Sequence, residues 1–154
     1  MVEEGDPAPD FELPTDEAGN LRLSQLRGRS VVLFFYPKDD TSGCTAEARD
    51  FSALSAEFVR AGAHVVGISP DAVKSHQKFR TKHALTVALA SDESKETLNA
   101  YGVWAEKSMY GKKYMGVERS TFLIDKTGKI ARVWRKVKVT GHAEEVFQAV
   151  RSLP

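Results

Sequence analysis

The sequence predicts an α/β domain, a central mixed sheet with helices on both faces, spanning residues 1–154. Three observations predict it. Val31–Tyr36 is an unbroken apolar, β-branched and aromatic run, the pattern of a strand buried on both sides. Further strand-length runs alternate with segments of helical period, an order that right-handed crossovers convert into parallel strands. Near the end, two apolar runs flank Lys126-Thr127-Gly128-Lys129, the signature of a hairpin that adds antiparallel pairing.

Taken in order, residues 1–14 carry Pro7, Pro9 and Pro14 and read as an extended arm with little regular structure. Ala18-Gly19-Asn20 reads as a turn, after which Leu21, Leu23 and Leu26 lay the chain on the core. Pro37 stops the strand at 31–36. Ala48, Phe51, Leu54 and Phe58 then recur at three- and four-residue spacing, predicting one helix over 45–61 closed by Gly62. The next strand is 64–69, and Pro70-Asp71 opens a helix in which Ala72, His76, Phe79 and His83 share a face. Leu85–Ala90 is a short strand and Ser94–Tyr101 a short helix ended by Gly102. Residues 103–118 show no clean period and read as a basic, aromatic-bearing loop, or a strand with an insertion. Strands at 120–125 and 130–135 follow, then a helix at 142–152 that turns Val146, Phe147 and Val150 inward.

Composition excludes several classes. A hydrophobic content of 42% and a charged content of 28% are those of an ordinary globular chain. A net charge of +1 argues against a nucleic-acid partner. No apolar run approaches the ~20 residues that cross a bilayer. The N-terminus is acidic where a secretory signal is basic and then apolar, so a cytoplasmic location is expected. The chain has one cysteine, Cys44, which suits a reducing compartment and excludes an internal disulfide or a cysteine zinc cage.

Cys44 falls where the strand at 31–36 hands over to a helix, in or beside the first helical turn. Unpaired N–H groups and a partial positive charge collect there, and a thiol so placed loses its proton more easily than a free one. The order of elements is that of the thioredoxin-like fold with an N-terminal extension, and open α/β sheets bind ligands beyond the carboxyl ends of their strands. Cys44 lies at such an end. A lone cysteine is more often a small buried hydrophobe than a nucleophile, but the flanking Asp39, Asp40, Thr41, Ser42 and Gly43 make a polar loop. Glu47 stands three residues on, where a dithiol motif would need a second cysteine.

The run Pro37-Lys38-Asp39-Asp40-Thr41-Ser42-Gly43-Cys44-Thr45-Ala46-Glu47 resembles the Pro-x-x-x-Thr-x-x-Cys motif of peroxiredoxins. It is most similar to their bacterioferritin comigratory protein, or peroxiredoxin Q, subgroup. The resemblance extends to Gly5–Phe11, Trp104–Lys107 and Arg119–Asp125, nearly the whole chain. It implies a thiol peroxidase that reduces hydrogen peroxide and organic hydroperoxides. Cys44 is then the peroxidatic cysteine, completed by Pro37, Thr41 and Arg119, with Glu47 helping to hold an arginine. Many members of the subgroup carry a second cysteine five residues after the first. Here that residue is Arg49, and residues 71–84, where other relatives carry it, hold none. A one-cysteine enzyme follows, resolved by an outside thiol such as thioredoxin, a glutaredoxin or glutathione. A monomer is expected, a dimer being the alternative.

Physical chemistry assigns each residue its task. A free thiol is about 3% ionised at pH 7, so full ionisation gains at most ~30-fold, and nucleophilicity falls as the pKa falls. The larger effect must be stabilisation of the charge that develops on the departing oxygen. Arg119 suits it, and the Thr41 hydroxyl can donate to or accept from the peroxide. Pro37 shields the sulfur. Against these stand plainer roles: Thr41 as a helix cap, Arg119 as a solvated strand-edge charge. Asp39 and Asp40 are expected to point outward. His64, His76, His83 and His142 show no metal-site spacing with acidic partners, and neither a metal nor a cofactor is expected. Trp104, Met109, Tyr110 and Tyr114 read as packing, with Trp104 a candidate pocket wall. Two other functions compete, a monothiol transferase, for which no cis-proline loop is found, and a binding or chaperone domain with an inert cysteine.

Overall fold

Alternate residues of the apolar run enter two separate core layers, which is why the run is unbroken. Val31, Leu33 and Phe35 join one layer; Val32, Phe34 and Tyr36 join the other. The computed structural model describes residues 2–17 and 19–154. Its elements are β1 (Glu12–Pro14), β2 (Asn20–Arg22), a 3-10 turn (Leu23–Leu26), β3 (Ser30–Phe35), α1 (Ser42–Ala53) and α2 (Ser55–Arg60). Then come β4 (Ala63–Ser69), α3 (Val73–His83), β5 (Ala88–Ser91), α4 (Glu96–Ala100), β6 (Trp104–Met109) and β7 (Lys112–Val117). β8 (Ser120–Ile124), β9 (Ile130–Trp134) and α5 (His142–Arg151) complete the chain.

The central sheet has the order β5-β4-β3-β8-β9. β3 pairs parallel with β4, and β4 with β5; β8 is antiparallel to both β3 and β9. One core layer takes Phe51 of α1, Phe58 of α2, Phe79 of α3 and Val146 of α5. The opposite layer takes Leu98 of α4 and, from the N-terminal arm, Phe11 and Leu13. This is the mixed α/β, thioredoxin-like architecture read from the sequence. β3 is therefore central, and its carboxyl end delivers the loop that carries Cys44.

Three expectations change. The helix placed at 45–61 breaks at Leu54 (φ −99°, ψ 6°) into α1 and α2. Phe51 and Phe58 still reach the same layer across the break, so the apolar spacing concealed it. Residues 104–117 form an antiparallel hairpin, not a loop. Its turn, Tyr110-Gly111, has positive φ at both residues (52° and 79°), the backbone of the tight primed turns that match strand twist. Both faces of the hairpin carry exposed residues, so no alternation marked it. The N-terminal arm contains β1 and buries Phe11 and Leu13. In the turn read at 18–20, Ala18 lies outside the described residues, and Gly19 accepts from the Thr15 N–H at 2.9 Å.

Candidate active site

Beyond β3 the chain must leave a dry core and enter a helix within six residues. Tyr36 remains buried and Pro37 is half-buried. Asp40 takes a positive φ (62°) to turn the backbone, and Thr41 is extended (φ −89°, ψ 157°) as the residue that caps α1. The cap works through the backbone: Thr41 C=O accepts from the Thr45 N–H at 2.8 Å. The Thr41 hydroxyl makes no cap bond and donates instead to Lys38 C=O at 2.8 Å. The capping role open to its side chain is thus unfilled, and its lone pairs remain as acceptors.

Cys44 sits in the first turn of α1 and is 1% exposed. That turn contains no acidic side chain to compete with the sulfur for the positive end of the helix. Arg119, in the connection between β7 and β8, is held through its backbone: its carbonyl accepts from the Val137 N–H at 3.0 Å, and neighbouring Glu118 N–H donates to Val103 C=O at 2.8 Å. Its guanidinium spans two groups, Nη2 donating to Cys44 Sγ at 3.3 Å and Nη1 to Glu47 Oε1 at 2.7 Å. Cys44 and Glu47 lie three residues apart and so share a helix face. Gly43 makes room, since a Cβ there would lie 3.2 Å from Arg119 Nη2.

Glu47 is as buried as the sulfur, and its Oε2 has no hydrogen-bond partner among the described residues. Burial pushes its carboxyl up to about 7, against the pull of Arg119 toward the carboxylate. Burial also works against the charge of Arg119, but Glu47 and Cys44 outweigh it and raise its pKa above the usual value. A second cation stands near. Lys107 on β6 is half-buried, its pKa lowered by burial and by Arg119, and raised in part by Cys44. Lys107 fell within the Trp104–Lys107 stretch of the resemblance, but its nearness to the sulfur depends on a hairpin the sequence did not reveal.

The structure thus brings together Cys44, Glu47 and Arg119, with Thr41 at the head of the same helix. Trp104 packs into the core layer opposite that of Cys44, with Lys95 Nζ 5.4 Å from its ring centre. Asp40 points outward as expected, pairing with Lys82 and His83 of α3, each at 2.8 Å. Asp39 does not. It is buried and accepts from Tyr36 OH (2.6 Å), from Ser75 OH (2.8 Å) and at His76 Nδ1 (2.7 Å). His76 Nε2 donates to Ala90 C=O at 3.1 Å, so both ring nitrogens are engaged. Asp71 accepts the Asp39 N–H at 2.8 Å and the Ser69 hydroxyl at 2.7 Å. Asp39, Asp71 and His76 come within 4.8 Å of one another, near enough to share a cation, yet these lone pairs already serve protein hydrogen bonds. The cluster holds the reactive loop at Asp39, next to the pairs that Asp40 makes with α3.

The chain matches the AhpC/TSA family over residues 4–133. It is 45% identical over 152 residues to peroxiredoxin Bcp of Bacillus subtilis, covering 99% of this chain and 97% of that protein. Identity to peroxiredoxin Bcp of Xanthomonas campestris is 45% over 148 residues, 95% and 92% of the two chains. Among solved structures, a ligand complex of Xanthomonas campestris bacterioferritin comigratory protein, studied for alkyl peroxide reduction, superposes with a TM-score of 0.90 at 41% identity. It covers 99% of this chain and 97% of that one. A Xylella fastidiosa PrxQ variant superposes with a TM-score of 0.93 at 38% identity, covering 99% and 97%.

Proposed function

Because the chain belongs to the AhpC/TSA family, as a peroxiredoxin of the Bcp and peroxiredoxin Q group, and is a thiol peroxidase, we propose how its own residues carry that reaction. Cys44 thiolate attacks one oxygen of hydrogen peroxide or an organic hydroperoxide. The O–O bond breaks, the sulfur becomes a sulfenic acid, and the departing oxygen leaves as water or alcohol after taking up a proton. Arg119 holds the thiolate and meets the charge that grows on the peroxide oxygens. Thr41, its proton committed to Lys38, accepts from the peroxide O–H and so orients the nucleophile's target. Pro37 screens the sulfur where strand becomes loop. Glu47 is a positioning residue that acts through Arg119.

One observation carries this reading: a single guanidinium bridges the only cysteine and a buried glutamate one turn along the same helix. The lone cysteine makes it an enzyme of one-cysteine type, with no second thiol in the chain to resolve the sulfenic acid. An external thiol must do so, and thioredoxin, a glutaredoxin and glutathione have the required chemistry. A reducing compartment, the cytoplasm, suits a free and reactive thiol.

Peroxide consumption by the reduced protein tests the assignment. With one equivalent supplied per chain, all of it should be consumed, Cys44→Ser should consume none, and Arg119→Met should slow the reaction beyond the ~30-fold that ionisation can explain. Consumption by the Cys44→Ser protein would overturn it, and an Arg119→Met protein at the parent rate would return Arg119 to a structural role.

A further inference from the structure

Residues 104–117 carry a surface for which peroxide chemistry has no use. Among the described residues β6 and β7 pair with each other and with no strand of the central sheet. Among the described residues five large apolar side chains stand exposed, and four of them, Met109, Tyr110, Tyr114 and Met115, are on this hairpin. Tyr110 at the tip is 98% exposed. Lys107, Lys112 and Lys113 outnumber Glu106, so the hairpin is cationic as well as apolar. Clustered exposed methionine and tyrosine are what protein interfaces select, and the lysines among them give the patch a sign of charge.

The hairpin is rooted at the sulfur. Val117 ends β7, and two residues on Arg119 reaches Cys44 Sγ at 3.3 Å. Lys107 lies within electrostatic reach of Arg119 and Cys44, and its stem crosses Gly116, where a Cβ would lie 3.3 Å from Lys107 Cδ. Six extended residues span about 20 Å, so the tip stands roughly that far from the root. A small thiol lodged at Cys44 cannot also touch Tyr110. A folded partner can, since a standard interface covers about 800 Å² on each side.

We propose that the β6–β7 hairpin is the docking surface for the reductant, and that the reductant is a small protein bearing a reactive dithiol on an acidic face. The proposal rests on the external-thiol reading above. Peroxide attack turns an anionic thiolate into a neutral sulfenic acid. Arg119 and Lys107 then lose the thiolate's share of their neutralising charge, with only Glu47 and Glu118 left beside them, in the one state that must receive an incoming thiolate. That thiolate attacks the Cys44 sulfur; the S–S bond forms as the S–O bond breaks, and hydroxide leaves as water after taking a proton. The partner's second thiol then displaces Cys44 as thiolate and closes the partner's own disulfide, so Cys44 is reduced and the partner oxidised. The acidic character follows from the lysines the partner must face.

Steady-state turnover separates docking from chemistry. Thioredoxin and glutaredoxin, each with its own reducing system, serve as protein probes and dithiothreitol as the small thiol. The variants are Met109→Ser/Tyr110→Asn, where asparagine tolerates the positive φ, and Lys112→Glu/Lys113→Gln. With the protein probe that turns over the parent enzyme, kcat/KM should fall about tenfold or more in both variants, and should fall for the parent as salt rises. Peroxide consumption and dithiothreitol turnover should not change. Parent rates in the variants, equal losses with dithiothreitol, or failure of both protein probes with the parent enzyme would each overturn the proposal. So would a dimer of the parent that the hairpin variants dissociate, since a second copy would then occupy the surface. If dithiothreitol cannot recycle the parent enzyme, the external-thiol reading falls as well.

Discussion

Replacing Glu47 by glutamine removes its titration while keeping its shape. Burial and Arg119 pull its carboxyl in opposite directions, and burial wins, holding it at about 7 against an ordinary 4.5. The folded protein therefore binds this proton more tightly than the unfolded chain. The resulting stabilisation is complete below about 4.5, fades as the pH climbs and is gone once the pH has passed about 7. The gap between those two values corresponds to about 3 kcal/mol, a sizeable part of the net stability of a domain. Urea unfolding of the reduced parent and of Glu47→Gln, at about pH 5 and about pH 8.5, measures it. Relative to the glutamine variant, the parent should lose roughly 2–3 kcal/mol between the two pH values. A difference that stays flat, or a parent that gains on the variant as pH rises, would refute the reasoning and make Arg119 the stronger influence. Above about 7 the newly formed carboxylate also competes with the sulfur for the single guanidinium.

Thr41→Val removes an acceptor that makes no cap bond, so stopped-flow oxidation should slow by about a hundredfold while Thr41→Ser keeps most of the rate. Gly43→Ala should hold or slightly raise helix stability, by at most about 1 kcal/mol, yet slow peroxide attack, because the new Cβ crowds Arg119 Nη2. Asp39→Asn leaves His76 buried without its carboxylate and should cost about 3 kcal/mol in denaturant unfolding. In that variant peroxide should react more slowly and iodoacetamide faster, since the loop that shelters Cys44 is then tied to α3 only through Asp40.

Much of this was legible because it is local. The apolar run of β3, the proline stop, the polar loop and the helical spacing after Cys44 fall within thirty residues, and each follows from a short period. Arg119 was different. Nothing around it marks it, and only the family resemblance lifted it above a surface charge, although its contacts with Cys44 and Glu47 are direct. The sequence alone points Asp39 outward, because its partner His76 is 37 residues away, a distance no local pattern spans. The resemblance gives Glu47 as a support for an arginine, but its raised pKa needs the burial that packing alone provides. Residues 103–118 read only as a loop, or a strand with an insertion, for the opposite reason. Both faces of the hairpin are exposed in part, so the alternation that betrays a strand was never written into it.

Intact mass after one equivalent of peroxide, with no other thiol present, is the most direct test of a lone peroxidatic cysteine at work. The expected product is a monomer with one added oxygen on the peptide that contains Cys44, trapped by a sulfenic-acid-selective carbon nucleophile. With excess peroxide it should advance to two and three added oxygens, and with a small thiol present it should become a mixed disulfide. Peroxide consumed while Cys44 stays unmodified, with the oxygen found on methionine instead, would contradict the assignment of the reaction to this sulfur.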